Sequence, residues 1–174
     1  MPKAKRSRLE KALVGPAGEH YVLFKLHMEG MLAALAPRNA PSVDILVLNE
    51  DETIAATVQV KTRTYGFDGG WHMSKKHETL IRPTLFYAFV DLQPAVPATF
   101  IVPSKTVAAV CKEEHAAWLA VPGKKGQPHA PNDMRRIRPA YDLDIASAPR
   151  GWLDEYRDRW GLLKAAAHAD AIRN

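Results

Sequence analysis

The stretch VDILVLNEDETIAATVQVKT, from Val43 to Thr62, restricts the fold more than any other part of the chain. Two runs rich in Val, Ile and Leu flank an acidic centre, the pattern of two antiparallel strands joined by a turn. Strand side chains alternate between faces, so Gln59 and Lys61 share one face of the second strand. With the turn centred between Asp51 and Glu52, Asp44 stands directly opposite Gln59 and joins that face. Ile45, Val47, Val58 and Val60 take the other face, which reads as the side anchored in a core. Three polar groups therefore gather, exposed, at the open end of an apolar hairpin, and a slip of one residue would scatter them.

The flanking segments supply the rest of a sheet and its cover. Pro16 and Gly18 stand where a helix can begin, and Val22, Leu23 and Leu26 recur at helical spacing up to Gly30, predicting a helix over 16–29. Glu19 falls three, four and seven residues before those apolar positions and shares their face; a carboxylate there needs a partner. MLAALAP, bounded by Gly30 and Pro37, reads as a short strand, and TLFYAFVDL and ATFIV as a further strand pair over 84–92 and 98–102. A Gly-rich loop lies between the two pairs, with Ser74 placed to cap a short helix. Ser104 is placed to cap a helix to about 119, followed by a Pro/Gly-rich loop over 121–134 that is expected to be mobile. Trp152, Tyr156, Trp160 and Leu163 form one stripe, predicting a C-terminal amphipathic helix over 152–169 that packs on the core or on a second copy.

A length of 174 residues suits one domain, with a basic arm over 1–14, a core over 15–103 and a helical part over 104–174. The chain holds no run of about 18 apolar residues and its N-terminus lacks an apolar signal core, which points to an intracellular, cytoplasmic protein. The lone Cys111 has no internal partner and reads as a small buried apolar residue. The formal charge of +5 favours a polyanionic partner. Three clusters carry much of it: Lys3, Lys5, Arg6 and Arg8; Lys75 and Lys76; and Arg135, Arg136 and Arg138, all suited to phosphate. His72, Ser74 and His77 could line the same cleft as Lys75 and Lys76, and Trp71 either stacks on a base or, the better-favoured reading, covers the core edge. GKKG lacks the full phosphate-loop spacing, HETLIR lacks a second zinc-binding His, and no GxSxG occurs.

Two chemistries fit the polar cluster. One is a buried Asp44–Lys61 ion pair with Glu19 settled at a helix start, where acidic residues suit the helix dipole. The other is a divalent-cation site, since Mg²⁺ takes hard oxygen ligands, one or two carboxylates completed by water and substrate phosphate. Glu19, Asp44 and the Gln59 oxygen would supply that set, and Lys61 would orient water or stabilise developing charge.

The order of these residues, GPAGEHYV, then SVD, a short hairpin and QVK, followed by TLFYAFVDL, resembles the PD-(D/E)XK nuclease superfamily over roughly half of the chain, about 15–92. The Gln59 form is similar to the QxK variant of Mrr-like members, and the GE of GPAGEHYV to the helical acidic position of Holliday-junction-resolvase-like ones. The resemblance implies a restriction-endonuclease-like α/β fold, a central mixed sheet flanked by helices. It also implies a Mg²⁺- or Mn²⁺-dependent endonuclease acting on nucleic acid, with DNA favoured, through Glu19, Asp44, Gln59 and Lys61. A homodimer is expected if both strands of a duplex are cut. Gln59 stands where most members have Glu and leaves the ligand set one negative charge short, so a catalytically silent module that binds nucleic acid or a protein stays open beside the enzyme.

Overall fold

In the computed structural model, which describes residues 7–64, 69–123 and 125–169, the hairpin is embedded in a five-stranded mixed sheet. In chain order the elements are α1 (Arg8–Ala12), α2 (Val14–Met28), β1 (Leu32–Leu35), β2 (Ile45–Leu48), β3 (Ile54–Arg63), β4 (Trp71–Ser74), β5 (Leu85–Asp91), β6 (Ala98–Pro103), α3 (Ser104–Ala120), β7 (Met134–Ile137) and α4 (Gly161–Ala169). The sheet order is β1-β2-β3-β5-β6, with β3 parallel to β5 and the remaining pairs antiparallel. β4 and β7 pair separately as a two-stranded antiparallel ribbon.

The hairpin register is the expected one at its open end. Ile45 pairs with Val58, Leu46 with Thr57 and Val47 with Ala56, before an irregularity brings Leu48 opposite Ile54. That slip is absorbed in the turn, where Glu52 adopts φ 65° and the Asn49 and Asp51 side chains both accept from the Thr53 N–H and hydroxyl. α2 ends as its sequence predicts: Gly30 is left-handed at φ 76°, and the Met31 N–H reaches back to the Leu26 carbonyl.

Both faces of the central strands are covered. Val22 and Leu26 of α2, with Trp160 and Leu163, pack on Ile45, Val47, Val58, Val60, Ala88 and Val90. The opposite face buries Tyr87, Phe89 and Val102 against Val107, Val110 and Cys111 of α3 and against Trp71 and Ile137 of the ribbon. This corrects the expectation that the Gln59 face lies open, since Gln59 is only 6% exposed. Trp71 is a core residue: its ring packs on Phe89 and Phe100 and its Nε1–H donates to the Val90 carbonyl at 3.0 Å.

Other differences have local causes. The stripe over 152–169 is not one helix. Trp152–Tyr156 is a 3-10 turn, after which Arg157 bridges to Phe100 and Asp158 turns left-handed, so that only Gly161–Ala169 is α-helical. Ser104 does not cap α3; its hydroxyl donates to the Arg82 carbonyl and accepts the Arg82 N–H, pinning the loop before β5. The expected basic arm is helical from Arg8, with Ser7 and Glu10 forming a capping box, and the part over 104–174 contains a strand, β7, beside its helices. Among the described residues no helix is long and apolar enough to cross a membrane.

α2 lies tight against the sheet at Gly18, where an added Cβ would fall 1.9 Å from Thr62 Oγ1. Gly18→Ala is therefore expected to push α2 off β3 and to cost about 1–3 kcal/mol in urea unfolding. An unchanged midpoint would show that the two elements part freely.

Candidate active site

Four chain-distant segments bring their polar groups to one end of β3. Gly18 seats α2 against Thr62 and so carries Glu19 beside the strand that bears Lys61. Asp44 lies just before β2, after a loop in which Asn39 and Ser42 both adopt positive φ, a costly conformation for residues with side chains. β3 runs beyond the end of β2, and the Asp44 carboxylate fills the gap: Oδ2 accepts the Val60 N–H at 2.7 Å. The register places Gln59 next, beside Tyr87 of β5, and Lys61 beside Phe89.

The charges feel one another. Burial holds the Glu19 carboxyl above its ordinary value, and the Asp44 charge raises it further, with His20 opposing. Burial likewise holds the Lys61 ammonium below the ordinary lysine range, with Asp44 pulling it up and Lys76 pushing it down. The Asp44 charge thus acts on both Glu19 and Lys61.

Gln59 is held from the side by a residue that sequence reasoning placed among loop groups facing phosphate. His77 follows Ser74 on a 3-10 turn over Lys75–Glu78, is 2% exposed, and lies 3.3 Å through Nε2 from Gln59 Oε1. Burial lowers its pKa; the Ser74 backbone opposes, and Lys61 and Lys76 add to the lowering. His77 therefore has no open face for phosphate. The only sequence signal for it was its place after a capping serine.

The basic groups divide. Lys76 faces the cluster, donating to Ser42 Oγ at 3.2 Å. Lys75 is exposed and its charge acts instead at His115. Arg8 stands exposed on α1, while Arg6 lies outside the described residues. The expectation of phosphate contact for the Arg135 cluster fails at Arg135 itself, which is 3% exposed, ion-paired with Glu78 and bonded to the Asn132 and Met134 carbonyls.

The donor chemistry fits a small hard cation. Glu19 and Asp44 are near enough for one charge to suppress ionisation of the other, a repulsion that a divalent ion would relieve. Among the described residues no group of three His, Cys, Asp or Glu side chains could hold a metal, so a cation held by Glu19 and Asp44 would have to complete its shell with neutral oxygens, from water, phosphate or the Gln59 amide. That composition suits Mg²⁺. Because Glu19 must ionise to bind a cation, Mn²⁺ affinity is expected to fall with acidification at a pH above the ordinary 4.5 of a glutamate. The sign for folding is opposite: a raised pKa contributes stability below the unfolded value that is lost as pH rises through the folded one. Asp44→Asn should bring the Glu19 titration, followed by NMR, back toward 4.5.

No protein-family model matches the chain, and no curated protein matches it. Among solved structures the chain is similar to that of a bacterial homing endonuclease, I-Ssp6803I, with a TM-score of 0.54 and 13% sequence identity over 92% of this chain and 96% of that one. At that identity the likeness speaks for fold alone. It does so over nearly the whole of both chains, and the five-stranded sheet flanked by helices accordingly shares its fold with that solved structure.

Proposed function

We propose that this protein is a Mg²⁺- or Mn²⁺-dependent endonuclease of the PD-(D/E)XK type, hydrolysing phosphodiester bonds in nucleic acid, with DNA the favoured substrate. What supports the reading is that the Asp44 charge acts on both Glu19 and Lys61 while its carboxylate is anchored on β3 by the Val60 N–H, on a fold like that of a homing endonuclease. Glu19, Asp44 and Gln59 would hold the ion, which when bound supplies positive charge at the scissile phosphate and acidifies a water.

The side chains have separable tasks. The Asp44 carboxylate is fixed by the Val60 N–H, so one oxygen is committed and the other is free to face substrate. Lys61, kept short of full charge stabilisation by burial, presents an ammonium to the charge that develops on the phosphate. Lys76 adds a second cation beside it, and the exposed Arg8 and Lys75 would meet more distant phosphates. A dimer would let two such sites act on the two strands of a duplex.

A second reading, a silent nuclease-fold module that binds nucleic acid, is favoured by the absence, among the described residues, of any group of three His, Cys, Asp or Glu side chains that could hold a metal. Cleavage separates the two. Duplex DNA and RNA are incubated with the protein in Mg²⁺, in Mn²⁺ and in EDTA. Metal-dependent scission of DNA is expected, and salt-sensitive binding with no scission in either metal would establish the silent module instead.

A further inference from the structure

We infer that the cavity between α3 and β7 is a binding site for guanine, taken either as a free nucleotide or as an unpaired base of a nucleic-acid strand. The inference stands apart from the metal-ion reading above and uses none of its residues.

The cavity measures about 330 Å³ and is lined by Glu114, His115 and Trp118 of α3 and by Arg135, Arg136 and Arg138 on or just after β7. Small-molecule pockets run from about 300 to 1,000 Å³, so this one suits a single ring system better than a larger ligand. Two of its polar groups are orphaned. Glu114 is 9% exposed, and among the described residues no hydrogen bond or ion pair satisfies its carboxylate. Arg138 Nε is buried with no hydrogen-bond partner. Burial raises the Glu114 carboxyl above its ordinary value, and the charges of Arg138, Arg135 and Arg136 oppose it in that order. The Arg138 backbone is anchored: its N–H donates to the Tyr141 hydroxyl and its carbonyl accepts the Trp152 Nε1–H, each at 3.0 Å. A buried carboxylate without a donor and a buried guanidinium N–H without an acceptor are both costly, so their meeting in one cavity points to a ligand that satisfies both.

The charges rule out the simplest ligands. Inorganic phosphate would meet the Glu114 carboxylate, and a cation would meet three guanidiniums. What fits is a neutral planar group with donors for the carboxylate and acceptors for the guanidinium. Trp118 gives the cavity a flat wall, its ring lying 5° from parallel with that of His129 at a centroid distance of 3.9 Å. Among the bases, guanine offers two adjacent donors, the ring N–H and the exocyclic amine, to the two carboxylate oxygens, and its carbonyl and ring nitrogen are preferred acceptors for arginine. The Lys75 charge acts at His115, so a phosphate joined to such a base has a cation near it.

The test is calorimetry on the full chain without metal. The free ligands are the monophosphates of guanosine, inosine, adenosine and cytidine; the polymer is a short thymidine strand holding one guanine or one hypoxanthine. Guanine is expected to bind at least about 10-fold more tightly than hypoxanthine, which lacks only the exocyclic amine. Glu114→Gln keeps the shape of the side chain but replaces one acceptor by a donor, and it should abolish that preference. Because it removes a buried unpaired charge, its urea midpoint should be no lower than that of the wild type. A preference shown by the free nucleotides assigns a nucleotide site, and one confined to the strand assigns an unpaired base; either supports the inference. Equal binding of guanine and hypoxanthine in both arms, or a preference that survives Glu114→Gln, would overturn it.

Discussion

Lys61→Met is expected to lower nucleic-acid cleavage by about 10²–10⁴-fold and, at the same time, to raise the unfolding midpoint. The two effects have one cause. Burial outweighs the attraction of Asp44, so the Lys61 pKa lies below the ordinary 10.5. A pKa lower in the folded than in the unfolded state means that folding penalises the charged form; the penalty acts in full below the folded value, shrinks as pH rises from there, and is gone above 10.5. Methionine matches the length of the lysine stem and carries no charge, so at neutral pH it removes the penalty together with the group that would stabilise the phosphate. Cleavage rate and urea midpoint, measured on one preparation, check both halves. If both fell together, Lys61 would be the structural partner of Asp44 instead.

Arg135→Met is expected to destabilise the protein by about 3–5 kcal/mol, because it leaves the Glu78 carboxylate partly buried and without its cation. The pair joins β7 to the 3-10 turn that carries Lys76 and His77, so its loss should also loosen the side of the cluster that holds Gln59. Arg135 further donates to the Asn132 and Met134 carbonyls, which would lose their partner. Replacing Glu78 by Leu in the same chain removes the stranded charge and should restore much of the loss. Urea unfolding of the single and double variants checks the prediction; equal midpoints for Arg135→Met and the wild type would contradict it.

The hairpin was legible because alternation fixes both register and face, and the pairing of Ile45 with Val58 follows from it without further information. The helical Glu19 was legible by its spacing from Val22 and Leu26, both fully buried. The ribbon was not. In Trp71–Ser74 the buried residues alternate, but its partner Met134–Ile137 buries Arg135 and exposes Met134, reversing the apolar pattern because an ion pair rather than a side-chain hydrophobe fills that position. The C-terminal stripe misled for a different reason: Trp152, Trp160 and Leu163 are all buried, as a single helix would bury them, while a bridge from Arg157 to Phe100 interrupts the backbone between them. Cover over the Gln59 face was equally hidden, since nothing local to His77 announces that its turn folds back onto β3.

Anomalous scattering from Mn²⁺-soaked crystals of the wild-type protein tests the central claim most directly. One strong peak is expected within coordination distance of the Glu19 and Asp44 carboxylates and Gln59 Oε1, with the Lys61 ammonium nearby and outside the ligand set. A peak elsewhere, or Glu19 and Asp44 without an ion at saturating Mn²⁺, would contradict it.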